Sequence, residues 1–306
     1  MLTAAPIRSV HDRILLLRSL DSLSGIDEAG LSLLAEHASR QVVPRGRIFE
    51  TEGARLRRVN IVVEGRVEIQ RRGRLVMIVE RGRGVGFLSA LAADEQGITA
   101  RALEDCVMLS IPVEVLRTVY EENFSVVRRT LQVLAVSRLK VRGYLPADPR
   151  KPPPVELGDC PAGELTFVQR VMAARIGLFA RANMDAVVDI ARGSRQLRVP
   201  AGQLLWKQGD PAPTYLRLLY GRVQCTRDGG GQIEIGADWI LGIFDGMSNQ
   251  RRAYSVRALS DLVALEADYA ALLSVFETHR VLAMQLLAGM ARPLLLGEDE
   301  PDLEFS

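Results

Sequence analysis

The sequence is poor in lysine, in cysteine and in long apolar runs. Lysine occurs three times in 306 residues, yet arginine is so common that the formal net charge is +2. A near-neutral chain of this kind does not indicate a nucleic acid or an acidic substrate as its partner. The three cysteines, Cys106, Cys160 and Cys225, are odd in number, far apart and without metal-ligand spacing, which excludes a disulfide framework or a zinc site.

Signals for export and for membrane insertion are also missing. Arg8, His11 and Arg13 interrupt the N-terminal stretch, so a signal peptide is not predicted. No run reaches the ~18 apolar residues of a membrane span. Because scattered cysteines suit a reducing compartment, we expect a cytoplasmic protein without a membrane span.

Motifs of catalysis are absent as well. The sequence contains no phosphate-binding Walker loop, no nucleophile elbow and no H-E-x-x-H helix. Its histidines, His11, His37 and His279, have no cysteine or acidic partner at a recognisable spacing. We therefore expect neither an enzyme nor a resident metal or cofactor.

The chain instead contains a repeat with an offset of 156 residues. At this offset four glycines and one short motif of the first copy align with identical residues of the second copy, and no insertion is needed. The aligned residues are Gly46 with Gly202, Gly53 with Gly209, Gly65 with Gly221, Gly86 with Gly242, and Arg101-Ala102-Leu103 with Arg257-Ala258-Leu259. Glycine at matching places indicates a positive φ or a close backbone approach. Two copies of one domain are predicted.

Each copy has the same order of elements. Apolar residues at helical spacing begin and end it, and between them lie short alternating runs separated by glycine. Gly65 and Gly221 each stand between two such runs and are predicted as hairpin turns. The predicted fold class is mainly β with flanking α, as two tandem β-rolls of the jelly-roll kind.

Proline marks the boundary between the copies. Six prolines between Pro146 and Pro161 predict an extended linker at 145–163, which separates a first domain at 1–144 from a second at 164–296. Residues 297–306, "GEDEPDLEFS", contain five carboxylates and form an acidic tail. The tail is interpreted as a solubilising end, or as a docking motif through Leu303 and Phe305. Its negative charge could also neutralise a basic patch in its own chain or in another chain.

The repeated pattern resembles the cyclic nucleotide-binding domain of the catabolite activator family and of protein kinase A regulatory subunits. The segment 199–223, "VPAGQLLWKQGDPAPTYLRLLYGRV", is the closer match and 43–67 the looser one. The resemblance implies a cassette in which Gly-Glu begins a short helix and Arg-Ala-Ala-Ser/Thr follows. In that family the arginine and backbone N–H groups bind the cyclic phosphate, and the glutamate binds the ribose.

The first copy lacks both of those side chains. Gln96 stands at the arginine place, and Phe87 stands at the glutamate place after Gly86, with Thr99 at the end of the cassette. A buried phosphate without a countercharge costs several kcal/mol. The first cassette is therefore predicted to be degenerate and to keep the fold without the ligand.

The second copy leaves the question open. Arg252 stands at the arginine place, while Ile243 replaces the glutamate and Tyr254 replaces a small residue. Asp245, in a short helix, is expected to point elsewhere. Arg252 is interpreted either as a nucleotide ligand or as a salt-bridged surface arginine. The candidate ligand residues are Gly242, Arg252, Ala253, Tyr254 and Ser255.

The first copy also carries a basic run. Eleven arginines against five glutamates lie between Arg45 and Arg83, which indicates a patch for an acidic protein segment, a nucleic-acid backbone or anionic lipid, or else a solvated face. The candidate partner residues are Arg55, Arg57, Arg58, Arg71, Arg72 and Arg74. Ten residues follow Leu296, too few for the helix-turn-helix of the catabolite activator family, so sequence-specific DNA binding is not expected.

The closing helices suggest association. In the first copy, apolar residues follow each other at spacings of three, four and three positions: Phe124, Val127, Leu131 and Leu134. In the second copy, the predicted helix around 281–290 is apolar nearly all round. These faces pack within the chain or form a homo-oligomer. We expect a non-catalytic cytoplasmic regulatory or adaptor protein that binds protein partners. The alternative is a cyclic nucleotide sensor that acts through Arg252.

Overall fold

The computed structural model describes residues 7, 9–20, 23, 25–92, 97–141, 145, 163–175 and 179–296. It divides into two compact units, the first containing the chain as far as Thr130 with the end of the last helix from Leu287, the second running from Leu131 to Leu286. Gln96, most of the predicted linker and the acidic tail lie outside the described residues. The predicted domain boundaries therefore stay a prediction.

The first half of the chain builds one β-roll between helices. Its elements are α1 (Val10–Arg18), α2 (Glu28–His37), β1 (Ser39–Val43), β2 (Ile48–Glu50), β3 (Arg58–Glu64), β4 (Val67–Arg71), β5 (Arg74–Val79), β6 (Gly84–Val85), α3 (Phe87–Ala92), β7 (Thr99–Ala102), β8 (Cys106–Pro112), α4 (Val113–Glu122) and α5 (Phe124–Val141).

The second half repeats that order. Its elements are α6 (Phe167–Ala174), α7 (Met184–Arg192), β9 (Ser194–Val199), β10 (Leu204–Trp206), β11 (Thr214–Tyr220), β12 (Val223–Thr226), β13 (Gln232–Ile235), β14 (Ile240–Leu241), α8 (Ile243–Met247), β15 (Ser255–Ala258), β16 (Leu262–Asp268), α9 (Tyr269–Thr278) and α10 (Arg280–Leu296).

Each roll consists of two four-stranded antiparallel sheets with the same strand order. In the first roll the orders are β1-β8-β3-β6 and β2-β7-β4-β5, and in the second β9-β16-β11-β14 and β10-β15-β12-β13. The core lies between the sheets, because β4 alternates buried and half-buried residues while β3 is buried along nearly its whole length. The predicted fold class of two tandem β-rolls is confirmed.

The prediction of hairpin turns at Gly65 and Gly221 is wrong. The strands on either side of each glycine belong to different sheets and do not pair. Both glycines are corners, with φ of +93° and +88°, where a Cβ would meet Cys106 Sγ at 2.6 Å in the first roll and collide with the carbonyl of Asp261 in the second. Sequence alternation is the same at a corner and at a hairpin, so the pattern does not distinguish them.

The hairpin lies one strand later, between β4 and β5. Arg71 faces Arg74 across a two-residue loop, Arg72-Gly73, and both loop residues have positive φ, 49° and 71°. Two positive φ values at the centre of a two-residue loop are the signature of a type I′ turn.

Side chains cap the helices that flank the rolls. Ser9 begins α1 and Thr166 begins α6 with capping boxes, and Asn183 caps α7 through the N–H of Ala186. None of the helices in the described ranges combines the length and the hydropathy that a bilayer crossing needs.

The apolar faces of the closing helices are largely buried within the chain. In α5, Val127, Leu131 and Leu134 are at most 4% exposed, while Val281 at the start of α10 is 70% exposed. A homo-oligomer through the closing helices stays a prediction. Leu145, the first residue of the predicted linker, packs in the core of the second roll.

Candidate ligand site in the second roll

The cassette of the second roll begins at Gly242. This residue has a left-handed φ of 76° and connects β14 to the five-residue helix α8. A Cβ at this position would collide with Nη1 of Arg252. Glycine is therefore required for two reasons. It adopts the positive φ without strain, and its lack of a side chain lets the guanidinium of Arg252 lie against its backbone.

Arg252 is buried, so its interpretation as a surface arginine is wrong. It is 4% exposed, and its guanidinium carbon lies 4.0 Å from the centroid of the Trp206 ring. Nη2 donates to Oγ1 of Thr214 at 3.2 Å. Burial lowers the pKa of Arg252, while the nearby carboxylate of Asp245 acts in the opposite direction. A cation–π contact and one hydrogen bond thus hold the guanidinium inside the roll.

The backbone of Arg252 is fixed as well. Its N–H donates to the carbonyl of Asp210, and its carbonyl accepts from the N–H of Gly209, both at 2.9 Å. The loop between β10 and β11 therefore sets the direction in which the arginine enters the roll.

Tyr254 fills the space beside Arg252. The residue is 2% exposed, and its phenol oxygen accepts the N–H of Gly242 at 2.9 Å. Its carbonyl accepts the indole N–H of Trp206, also at 2.9 Å. Burial raises the pKa of the phenol well above its usual range, so it is neutral. The phenol thus takes a backbone donor that a bound anion would need.

Asp245 points into the cassette, contrary to the sequence prediction. It is 1% exposed, and Oδ1 accepts the N–H of Ala253 at 3.1 Å. Burial raises its pKa to about 6, against the lowering effects of that hydrogen bond and of Arg252. Most of α8 is buried, so a residue three places into this short helix still faces the interior.

Ser255 has a structural contact rather than a free hydroxyl. Its Oγ accepts the N–H of Gln208 at 2.8 Å, and Thr99 in the first roll accepts the N–H of Glu52 at 3.2 Å. The same contact at the same position in both copies indicates a role in the roll.

The first cassette is filled in a different way. Gly86 again has a positive φ, +85°, and the ring of Phe87 lies where a side chain on Gly84 would be. Ile98, at the position of Tyr254, is 3% exposed. Glu50, at the position of Trp206, is half-buried, and burial raises its pKa while a hydrogen bond from Asn60 lowers it. Gln96 lies outside the described residues.

Two matches to a family profile bear on these cassettes. The profile of the cyclic nucleotide-binding domain matches residues 40–123 and again 196–279, which together are more than half of the chain. The chain belongs to the cyclic nucleotide-binding domain family. Both matches enclose a complete cassette, and the resemblance found in the sequence is confirmed.

Solved structures similar to this chain include regulatory subunits. A mutant regulatory subunit of a cAMP-independent protein kinase A from Trypanosoma brucei, bound to cAMP in its A site, is 14% identical over 93% of this chain and 92% of that chain, with a TM-score of 0.35. The regulatory domain of Toxoplasma gondii protein kinase A, with cAMP, is 15% identical over 92% and 96%, also at 0.35.

A shorter match is a putative cyclic nucleotide-binding protein from Geobacter metallireducens, 21% identical over 39% of this chain and 89% of that chain, with a TM-score of 0.34. No curated protein matches the chain significantly.

The sequence prediction missed Trp206 and Thr214. Both contact Arg252, yet they lie 46 and 38 residues before it, and no spacing rule of the cassette includes them. One signal was available, because Trp206 replaces Glu50 of the first copy in an otherwise matched strand. The prediction that histidines lack acidic partners also missed a contact, since Nε2 of His279 lies 3.0 Å from Asp189, 90 residues away in sequence.

The predicted partner surface divides into exposed and enclosed arginines. Arg71 is 7% exposed and is therefore not the surface residue that was predicted. Arg58 is half-buried, and its guanidinium donates to both Oγ and the carbonyl of Ser110 at 2.7 Å. The others of the set are exposed: Arg55, Arg57, Arg72 and Arg74.

Residues that could hold a metal do not cluster in the part of the chain that the structure describes. No group of three or more His, Cys, Asp or Glu side chains is found there, and Cys106 and Cys225 are buried free thiols. The polar groups that the second cassette presents are the guanidinium of Arg252, the carboxyl group of Asp245 and backbone N–H groups.

Proposed function

We propose that this chain is a non-catalytic regulatory or adaptor protein that binds protein partners, and that its two cyclic nucleotide-binding domains work without a nucleotide. The observation that carries the proposal is the phenol of Tyr254 on the N–H of Gly242, with Arg252 stacked on Trp206 beside it. The backbone N–H of Gly242, which would receive a phosphate, is already engaged by the phenol, and the guanidinium is already stacked on an indole ring.

The cost of opening the second cassette supports this proposal. Moving a buried tyrosine ring into water exposes on the order of 150–250 Å², which costs at least about 4 kcal/mol at roughly 25 cal/mol per Å². A ligand must supply that free energy, which weakens its apparent affinity by about a thousandfold. An intrinsic Kd near ~1 μM would then be observed near ~1 mM.

A surface for partners is available on the first roll. Arg55, Arg57, Arg72 and Arg74 are exposed, and guanidinium groups pair with carboxylates in two-pronged geometry. The partner that fits them is an acidic segment of a protein.

One observation favours the nucleotide sensor as a second candidate. Within the described residues, Nε and Nη1 of Arg252 and Oδ2 of Asp245 are buried without a protein hydrogen-bond partner. An anion that displaced the phenol would meet two unused donors of Arg252.

Thermal unfolding with nucleotides tests the choice. The melting temperature is measured with millimolar cAMP, cGMP and cyclic dinucleotides for the wild type, Arg252→Ala and, as a matched control, Arg251→Ala, whose side chain donates to the carbonyl of Gly209. We expect no shift for the wild type. A shift that Arg252→Ala loses and Arg251→Ala keeps would establish the sensor instead, because binding to the folded state must raise the melting temperature.

The partner surface is tested separately. Proteins cross-linked to the wild type in a native lysate are compared with those of Arg72→Glu/Arg74→Glu and of Arg175→Glu/Arg181→Glu, two exposed arginines of the second unit. We expect partners that only the first variant loses, since both variants change the net charge equally. Identical partner sets for all three proteins would remove this face from the proposal.

A further inference from the structure

A cleft opens at one end of the second roll. It has a volume of about 270 Å³ and lies between residues 192–195, where α7 passes into β9, the start of β11 at Thr214, and residues 266–268 at the end of β16. A single water molecule takes about 30 Å³. The cleft is therefore large enough for a side chain or a small organic ligand.

The first roll has an arginine at the equivalent place. Arg58 stands at the position of Thr214, and its Nε donates to Oγ of Ser110 at 2.7 Å. Its Nη2 donates to the carbonyl of Ser110 at 2.7 Å and to Oγ of Ser39 at 3.0 Å. A guanidinium group with three hydrogen bonds thus occupies this end of the first roll.

The second roll lacks that arginine and has a stronger acceptor for it. The cross-strand pairs at this end are equivalent in the two rolls: Ser39 with Ser110, and Arg195 with Glu266. Glu266 therefore replaces Ser110 at the position that accepts the guanidinium of Arg58. A carboxylate accepts charge-assisted hydrogen bonds, which are roughly twice as strong as those to a neutral hydroxyl. The donor is missing, while its acceptor has become stronger.

Arg195 engages only part of the Glu266 carboxylate. Its Nε donates to Oε2 of Glu266 at 2.8 Å, and its Nη2 contacts the same oxygen. The side chain of Arg195 is 77% exposed, whereas that of Glu266 is 15% exposed. Arg195 therefore reaches the carboxylate from the solvent side without filling the cleft, and Oε1 of Glu266 can accept from a second donor.

A second carboxylate lies at the rim of the cleft. Asp268 is the N-cap of α9, yet its side chain makes no capping hydrogen bond. Arg192, which also lines the cleft, is paired with Asp189 at 3.2 Å. Since that pair and the pair of Arg195 with Glu266 are each neutral, Asp268 gives the cleft an excess of negative charge. This excess favours a cation.

We propose that the cleft binds a guanidinium group from outside this chain. Oε1 of Glu266 and the carboxylate of Asp268 accept its N–H groups, as the serines of the first roll accept those of Arg58. Its planar fork reaches two acceptors at once, which an ammonium group does less well. The group belongs to a small alkylguanidinium compound or to the arginine side chain of a protein segment. This site goes beyond the proposed function, because it lies on the second roll and takes a cation.

Amide chemical shifts of the full-length chain test the site. N-acetylarginine amide and N-acetylcitrulline amide, which has a neutral urea in place of the guanidinium, are titrated to millimolar concentrations. We expect the arginine compound to shift the amides of Gly193, Thr214 and Asp268. The citrulline compound should bind at least about tenfold more weakly, because it has lost the charge. The equivalent amides of the first roll, those of Ser39 and Ser110, should not shift.

Two variants localise the binding, and the dispersion of their amide spectra shows that they are folded. Glu266→Gln should bind the arginine compound at least about tenfold more weakly. Thr214→Arg should not bind it, because the new side chain takes the place that Arg58 has in the first roll. Glu234→Gln is the matched control and should bind like the wild type, since Glu234 also pairs with an arginine, Arg222, at 3.5 Å.

Two further probes distinguish the sources of the guanidinium. Ethylguanidinium carries the head group alone, and a short peptide with one arginine between glycines carries it on a main chain. Binding of ethylguanidinium at least as tight as that of the peptide indicates a small-molecule ligand. Tighter binding of the peptide indicates a protein segment.

Three results would overturn the inference: no shifts with the arginine compound, equal binding of the citrulline compound, or unchanged binding by Glu266→Gln. Neither a nucleotide nor the exposed arginines of the first roll take part in this experiment, so its failure leaves the proposed function standing. Failure of the nucleotide and cross-linking tests likewise leaves the cleft standing.

Discussion

The two β-rolls share their backbone contacts position by position and differ in what fills the cassette. Asp105 accepts the N–H of Arg45 at 2.8 Å in the first roll, and Asp261 accepts the N–H of Ala201 at 2.9 Å in the second. A further pair repeats in the same way, from Gly46 to Ala102 and from Gly202 to Ala258. The frame of both rolls thus depends on contacts of glycine, aspartate and main-chain groups.

The fillings follow two different routes to a closed cassette. The first roll has Ile98 and Ser89 where the second has Tyr254 and Asp245. The first cassette carries no charge at these two positions, whereas the second retains a buried arginine and a buried carboxyl group beside aromatic side chains. Because buried charge is costly even when compensated, the second roll should respond more strongly to pH and to mutation.

The largest expected effect is at Tyr254. Tyr254→Ala removes a fully buried ring and should lower the free energy of unfolding of the second roll by about 4 kcal/mol. Tyr254→Phe should cost about 1–2 kcal/mol, since it leaves the buried N–H of Gly242 without an acceptor. Urea denaturation followed by tryptophan fluorescence reports on this roll, because Trp206 and Trp239 both lie in it. A Phe variant as stable as the wild type would contradict a role for the phenol.

The corner glycines should come next. Gly221→Ala forces a Cβ into the carbonyl of Asp261 at a φ of +88°, and Gly229→Ala has nearly the same φ, +85°, with nothing within 4 Å. We expect Gly221→Ala to lower the free energy of unfolding by about 3 kcal/mol and Gly229→Ala by about 1 kcal/mol, because steric overlap adds to backbone strain only in the first variant. Equal losses in urea midpoint experiments would show that strain alone matters. Gly65→Ala is the corresponding change in the first roll.

The pH dependence of Asp245 distinguishes the rolls. Its pKa is raised by burial from 3.8 to about 6, so the folded state binds the proton more tightly than the unfolded state. Its stabilising effect is therefore greatest below pH 4 and is lost as the pH rises from 4 to 6. Asp245→Asn lacks this loss and should be more stable than the wild type at pH 7 by up to about 3 kcal/mol.

Urea midpoints of both proteins between pH 4 and pH 7 measure this difference, which should vanish near pH 4. Ser89→Ala, at the same position of the first roll, should show the pH dependence of the wild type. Parallel curves for Asp245→Asn and the wild type would contradict the burial of an ionising carboxyl group.

The smallest expected effect concerns His279. Its hydrogen bond to Asp189 lowers the pKa of that carboxyl group in the folded state. The stabilisation is therefore present above the pKa that Asp189 has in the unfolded chain, and it is lost as the pH falls through the lower pKa of the folded state. Asp189 is 38% exposed at its side chain, and His279→Gln should therefore cost less than about 1 kcal/mol at neutral pH. The first roll has Leu33 and Asn123 at these positions, and Asn123→Gln provides the comparison. A loss of several kcal/mol in urea midpoint experiments would show that the contact is more than a surface pair.

Much of the fold was predictable and much of the site was not. Matched glycines and the repeated Arg-Ala-Leu motif predicted two β-rolls, because these residues encode local backbone geometry. The side-chain partners of Arg252 come from β10, which supplies Trp206, and from the start of β11, which supplies Thr214. Contacts that join distant strands have no local period, so no spacing rule could find Trp206 or Thr214.

The sequence by itself determined the repeat, the family and the absence of an arginine and a glutamate at their expected places in the first cassette. Those properties depend on residue identity at fixed positions. Only the tertiary structure decided that Arg252 is buried and that Tyr254 occupies the backbone donor at Gly242. Burial and occupancy depend on which side chains meet in space, and two strands with the same local pattern become a corner or a hairpin according to the sheet that each one joins.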